Sequence, residues 1–151
     1  MIYNRTENDV NEAKKIRIEK VQKFQVLTDS EIEILEKGVL TINTLNRIES
    51  KQEELKNLFN ALGYWNTSIV NKAWDEIMIF DVDDFKRIIN NSETLRQAFF
   101  VYTDTPKTPP MAYDIKTFND LEKLLHDLDV MINDVKSGFR KCGTFKCGGK
   151  K

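Results

Sequence analysis

The chain has 151 residues, 40% of them apolar and 10% aromatic, enough for one ordinary domain or two small ones with a real core. Lys and Arg number 23 against 24 Asp and Glu, a net charge of −1, so no overall basic field exists to hold nucleic acid or an anionic membrane, and neither is expected as a partner. Apolar runs such as Ile77 to Phe80 are far short of the roughly 20 residues that cross a bilayer, and no signal-peptide pattern opens the chain. The protein is expected to be soluble and made in the cytoplasm.

Thr6-Glu-Asn-Asp9 is a helix-capping pattern, followed by Val10, Ala13, Ile16 or Arg17, Val21 and Phe24 at near-helical spacing. The other face carries Lys14, Lys15, Arg17, Lys20 and Lys23 with Glu12 and Glu19 among them. That is the composition of a solvated face, although such a stripe can also grip a polyanion. Thr28-Asp-Ser-Glu31 is a full capping box that opens a short helix through Ile32 and Leu35, with Gly38 as its expected stop.

Three longer seams follow. Leu45, Ile48, Gln52, Leu55, Phe59 and Leu62 repeat at alternating spacings of 3 and 4, closed by Gly63. Phe85, Ile88, Ser92, Leu95 and Phe99 form a second seam, and Phe118, Leu121, Leu125, Leu128, Ile132 and Val135 a third. These stripes either pack on each other within one chain or also pair with other subunits. The expected fold is mainly α: a helical bundle of three long helices, two shorter N-terminal helices and a short C-terminal β-like tail. Its expected parts are an N-terminal helical segment at 1–38, a three-helix module at 39–138, and a Cys/Gly tail at 139–151.

Two connectors separate the seams. The stretch from Tyr64 to Phe80 holds both tryptophans, Trp65 and Trp74, and the stretch from Tyr102 to Tyr113 holds all three prolines. A Pro/Thr segment has few backbone donors and stays extended, so these loops are expected to be surface docking segments.

Three segments align without gaps: Leu40 to Ile48, Phe80 to Ile88 and Tyr113 to Leu121, each opening one seam helix. The pattern is that of helix initiation. Thr41, Asp81 and Asp114 fall at the N-cap, and Leu40 with Leu45, Phe80 with Phe85 and Tyr113 with Phe118 fall at the positions of a hydrophobic staple. Asp83 and Asp84 fall in a first turn, where the helix dipole favours negative charge. Read alone, Ile77 to Phe85 resembles a strand delivering Asp81, Asp83 and Asp84 to a metal. The repeat puts Thr41, Thr44 and Thr117 at equivalent positions, so the shared requirement is a capping oxygen and not a charge.

His126 is the only histidine and falls off the seam, on the face with Glu122 and Asp129, where an exposed surface residue is expected. No phosphate-binding glycine loop or nucleophile motif occurs, so no catalytic residue, metal or cofactor is expected. Gly138 is expected to end the third seam helix, and the tail from Phe139 through Phe145 to Gly149 reads as a short strand or hairpin that could add to a neighbour's sheet. Cys142 and Cys147 with one histidine cannot fill a four-ligand zinc site within a subunit, leaving free thiols or a local disulfide. The candidate interface residues are Trp65, Trp74, Tyr113, Phe139, Phe145, Cys142 and Cys147.

With these residues in view, the chain resembles a family of tail proteins from bacteriophages and phage tail-like particles (bacteriocins) of Gram-positive bacteria. The resembling segments are Ile2 to Val10, Leu45-Asn-Arg-Ile-Glu49, Leu58 to Tyr64, the Trp74 connector, the Pro-rich loop, Leu121-Glu-Lys-Leu-Leu125, and Phe139 to Gly148. The resemblance implies a non-enzymatic structural subunit of the baseplate or tail-fibre region, located in a virion tail or tail-like particle. Its implied partners are other tail, baseplate or fibre proteins, or further copies of itself. The resemblance is to the helical module standing alone, without a fibre module after Gly149, and under it an adaptor or structural role is the expectation. Two other readings remain at this stage: a host-surface module binding glycan or protein through Tyr64, Trp65, Trp74 and Tyr113, and a metal enzyme on Asp81, Asp83 and Asp84.

Overall fold

Each helix begins where a side-chain oxygen can take a backbone N–H that the helix itself leaves without a partner. In a computed structural model describing residues 1–63, 68–75, 78–110, 112 and 114–142, with side chains to Gly138, five α-helices start in this way. They are α1 Glu7–Glu19, α2 Asp29–Gly38, α3 Ile42–Ala61, α4 Val82–Ala98 and α5 Ile115–Cys142, with a 3-10 turn at Val21–Lys23. No strand occurs among the described residues, and the chain is mainly α. Thr6 and Thr28 cap α1 and α2 in reciprocal boxes with Asp9 and Glu31. Thr41 Oγ1 accepts from Thr44 N at 3.2 Å, Asp81 Oδ1 from Asp84 N at 2.8 Å, and Asp114 Oδ1 from Thr117 N at 2.7 Å.

The three long helices run parallel and in register. Gln52 meets Ser92 and Phe59 stacks on Phe99, partners 40 positions apart, which is the offset between the first two copies of the repeat. Phe85 packs on Phe118, partners 33 apart, which is the offset between the second and third. All three caps therefore lie at one end of the bundle, beside an aromatic chain from Trp74 through Phe80 and Phe85 to Phe118.

The seams close on one another within the chain. Leu45, Ile48, Leu55 and Phe59 are buried with Phe85, Ile88, Leu95 and Phe99 and with Leu121, Leu125, Leu128 and Ile132. Each such side chain contributes roughly 1.5 to 3 kcal/mol by leaving water. The polar seam residues form one layer: Gln52 Nε2 donates to Ser92 Oγ at 2.7 Å and to the Ile88 carbonyl at 2.9 Å. Shifting α3 along α4 would strand the buried Gln52 amide, so this layer fixes the register.

Parallel helices need a return path, and extended chain supplies one in each groove. Residues 70–74 lie over α3 and α4, where Asn91 Nδ2 and Arg87 Nη1 donate to the Val70 carbonyl. Residues 102–108 lie over α4 and α5, where Thr108 donates to Glu93 and Thr105 donates to Asp127 at 2.9 Å. Residues 2–5 lie over α5 and α3, held by Glu122 and Asn119. The prolines suit such a strap because it offers few donors that would need satisfying against the bundle.

Three glycines were expected as helix stops, and they behave differently. Gly63 ends α3 in the left-handed conformation, φ 79. Gly38 is instead the last residue of α2, which ends as Val39 turns extended. Its missing Cβ lets the two N-terminal helices touch, since a Cβ there would stand 2.2 Å from the Asp9 carbonyl oxygen. Gly138 does not stop α5, which continues to Cys142. A lone glycine costs a helix only about 1 kcal/mol, too little to end it where the backbone does not reverse. The expected β-like tail is therefore helical through its first four residues; 143–151 lie outside the described residues.

Candidate functional site

The polar residues of the bundle act as latches for the straps. Asn46 and Asn119 occupy the same position in the repeat, and each clamps the backbone of one strap residue. Asn46 accepts from Trp74 N at 2.8 Å and donates to its carbonyl at 3.0 Å, while Asn119 accepts from Arg5 N at 3.1 Å and donates to its carbonyl at 2.9 Å. Three positions further on in the repeat stand Glu49 and Glu122, both buried, with apolar Ile89 between them in α4.

Glu49 joins three elements. Arg87 of α4 donates to its two oxygens at 2.6 and 2.7 Å, and from the strap Trp74 Nε1 donates at 2.8 Å and Lys72 N at 2.6 Å. Glu122 repeats this on α5, receiving Arg5 Nη2 at 2.6 Å, Arg47 Nη2 of α3 at 2.9 Å, and the N–H of Ile2. Arg47 and Arg87 are also equivalent in the repeat. The links thus run from α4 to α3 and from α3 to α5; the third, from α5 to α4, would join Asp120 to Ile89 and is replaced by apolar packing of Ile89.

Charge follows from this geometry. The Glu49 carboxylate raises Arg87 above its ordinary value against the opposing effect of burial. Burial pushes Asp84 up, but the hydrogen bond and charge of Lys72, with Arg87 beyond, bring it below the usual carboxylate range. Glu93 falls from 4.5 to about 2, chiefly through the fork of Arg96, with Thr108 and Gln97 adding bonds. Asp9, bonded by Lys37 and Thr6, also falls to about 2.

The three aspartates do not converge. Asp81 caps α4, Asp83 is exposed and pairs with Lys86 at 3.1 Å, and Asp84 is buried between Lys72 and Arg87. Among the described residues no three His, Cys, Asp or Glu side chains gather as metal ligands.

Trp74 was expected at an interface but is buried, its indole against Phe80 and its N–H on Glu49. A residue clamped at both backbone and side chain belongs to the core. His126 is half-buried, its ring 5.1 Å from Tyr3, and its neighbour Glu122 is fully buried, so the expected exposed face is covered by the N-terminal strap. Tyr64, Trp65, Tyr113, Phe145 and Cys147 lie outside the described residues, and Phe139 and Cys142 are described only as part of α5.

Outside the bundle, α1 and α2 form a hairpin that crosses at Ala13 and Gly38 and is tied by Lys20 to Glu31 at 2.6 Å and Lys37 to Asp9 at 2.8 Å. From Thr6 to Leu40 only Ala13 is buried. The expected apolar stripe of α1 is therefore only half covered: Phe24 is 97% and Val26 92% exposed, and Ile18, Val21 and Ile32 are exposed beside them. Between hairpin and bundle runs an open cleft of about 970 Å³, floored by Val10, Leu40 and Phe118. No described helix is long and apolar enough to cross a membrane.

No family model, curated protein or solved structure matches the chain.

Proposed function

We propose that the protein is a non-enzymatic structural subunit of a phage or phage-like contractile tail, in the baseplate or tail-fibre attachment region, with other tail, baseplate or fibre proteins as its partners. One observation carries this reading. The polar residues of the segments that bear the resemblance are committed to holding the fold: Asn46, Glu49 and Glu122 latch straps onto the bundle, Arg5 is the strap residue that Glu122 holds, and Arg47 ties α3 to α5. Residues arranged in this way hold a shape for neighbours to dock on and leave no group poised over a substrate. Docking would bury apolar surface and add main-chain contacts along the straps.

Electron microscopy of purified tails carrying a labelled copy of the chain tests this. Label at the baseplate or fibre-attachment end is the expected result, and absence of the chain from assembled particles overturns it. A glycan-binding reading loses Trp74, whose indole is enclosed in the core.

A further inference from the structure

We propose that two copies of this chain pair through their N-terminal hairpins, completing a four-helix arrangement of which each copy supplies half. A two-helix hairpin has no second layer on which to bury its apolar residues, and this one leaves Ile18, Val21, Phe24, Val26 and Ile32 in water. The tip is held in a costly conformation as well: Phe24 adopts φ 54, ψ 34, a left-handed geometry that bulky residues rarely take, with its ring almost wholly exposed.

Charge identifies the occupant. Within the hairpin, ion pairs use up Lys20, Glu31, Lys37 and Asp9. Among the described residues, Lys14, Lys15, Arg17, Lys23, Glu7, Glu12 and Glu19 on the α1 side have no ionic partner, and neither do Asp29, Glu33 and Glu36 on α2. The charges of α1 nearly balance over its length, but one helical turn from its exposed Ile18 stand Lys14 and Lys15, and one turn from the exposed Ile32 of α2 stand Asp29 and Glu36, so the two isoleucines carry opposite local charge. A two-fold axis along the hairpin sets α1 of each copy against α2 of the other, with tips together. Ile18 then covers Ile32 of the second copy, Lys14 and Lys15 come level with its Glu33 and Glu36, and the two Phe24 rings bury each other. The surface is self-complementary in the sense a two-fold interface requires. Such a dimer would form whether or not the protein enters a tail.

Sedimentation equilibrium of the full chain, with reductant present so that Cys142 and Cys147 cannot cross-link, tests this. The native chain is expected to dimerise. Lys14→Glu with Lys15→Glu, Glu33→Lys with Glu36→Lys, or Phe24→Glu alone should each weaken the dimer about tenfold or more, while the fourfold charge reversal in one chain should restore it. Circular dichroism and tryptophan fluorescence report whether each variant is folded. Should a reversed chain fail to fold, a salt series on the native chain decides, because a charge-matched dimer weakens as salt rises. A chain that stays monomeric overturns the proposal, as does a dimer indifferent to salt and to all the substitutions. A monomer that binds phosphatidylserine vesicles through Phe24 overturns it too, and assigns the tip to a membrane surface.

Discussion

Glu49 shows how much of this structure rests on single buried charges. Its carboxylate, 2% exposed, faces a largely buried guanidinium and an indole N–H. Truncation leaves Arg87 with only the Val70 carbonyl and the long contact to Asp84, and removing one partner of a buried ion pair costs about 3 to 5 kcal/mol. Glu49→Ala is therefore expected to lower stability by about 3 kcal/mol in urea unfolding. The exposed pair of Lys86 with Asp83 should give at most about 0.5 kcal/mol in Lys86→Ala. Equal effects of the two substitutions would contradict the latch. The position was not legible in the sequence: the aligned segments stop at Ile48 and Leu121, one residue short of Glu49 and Glu122, and Glu122 was expected on an exposed face with His126, whereas it is fully buried. Nor could the pattern give the identity of the cations, which come from a different helix in each case.

At the level of whole elements, the caps and seams could be read from spacing alone because both depend on neighbours within two turns. Gly38, Gly63 and Gly138 look alike in sequence and do three different things, since a glycine's role depends on what lies across from it. Gly38→Ala would drive a methyl into the Asp9 carbonyl and the Ala13 side chain. Overpacking of this kind costs about 1 to 3 kcal/mol. Amide hydrogen exchange in α1 and α2 should accelerate by about tenfold or more, while α3, α4 and α5 keep their protection, because the hairpin shares little surface with the bundle. Uniform acceleration across all five helices would show that the hairpin and the bundle open together.

Over the whole molecule, electrostatics make the fold sensitive to acid. Glu93 and Asp9 titrate near 2 in the folded chain, and Asp84 and Asp114 also lie below their ordinary range. A carboxylate whose folded value is depressed adds stability that is fully present above its unfolded value and is lost as pH falls through the folded one. The melting temperature should therefore hold from pH 7 down to roughly the unfolded carboxylate range near 4.5 and fall toward pH 2. Glu93→Gln should flatten the early part of that fall; a slope unchanged in this variant would remove Glu93 from the account. The direction of the helices was not readable from the seams, whose spacing is the same either way. The connectors did carry a hint. The gap between α3 and α4 runs from Leu62 to Asp81, long enough in extended form to travel back along a 20-residue helix of about 30 Å.

That parallel arrangement has a kinetic consequence. Contacts between chain-adjacent helices of the bundle join residues from 33 positions apart, Phe85 with Phe118, to 40, Gln52 with Ser92. An antiparallel pair can zip from its turn, gaining contacts after closing only a few residues of loop. Here no helix meets its neighbour until a long connector has folded back, and the entropy of that closure precedes any reward. The chain is helical in composition, yet the contacts that join its bundle helices are distant in sequence, so loop closure and not helix formation is expected to set the pace at which the bundle assembles.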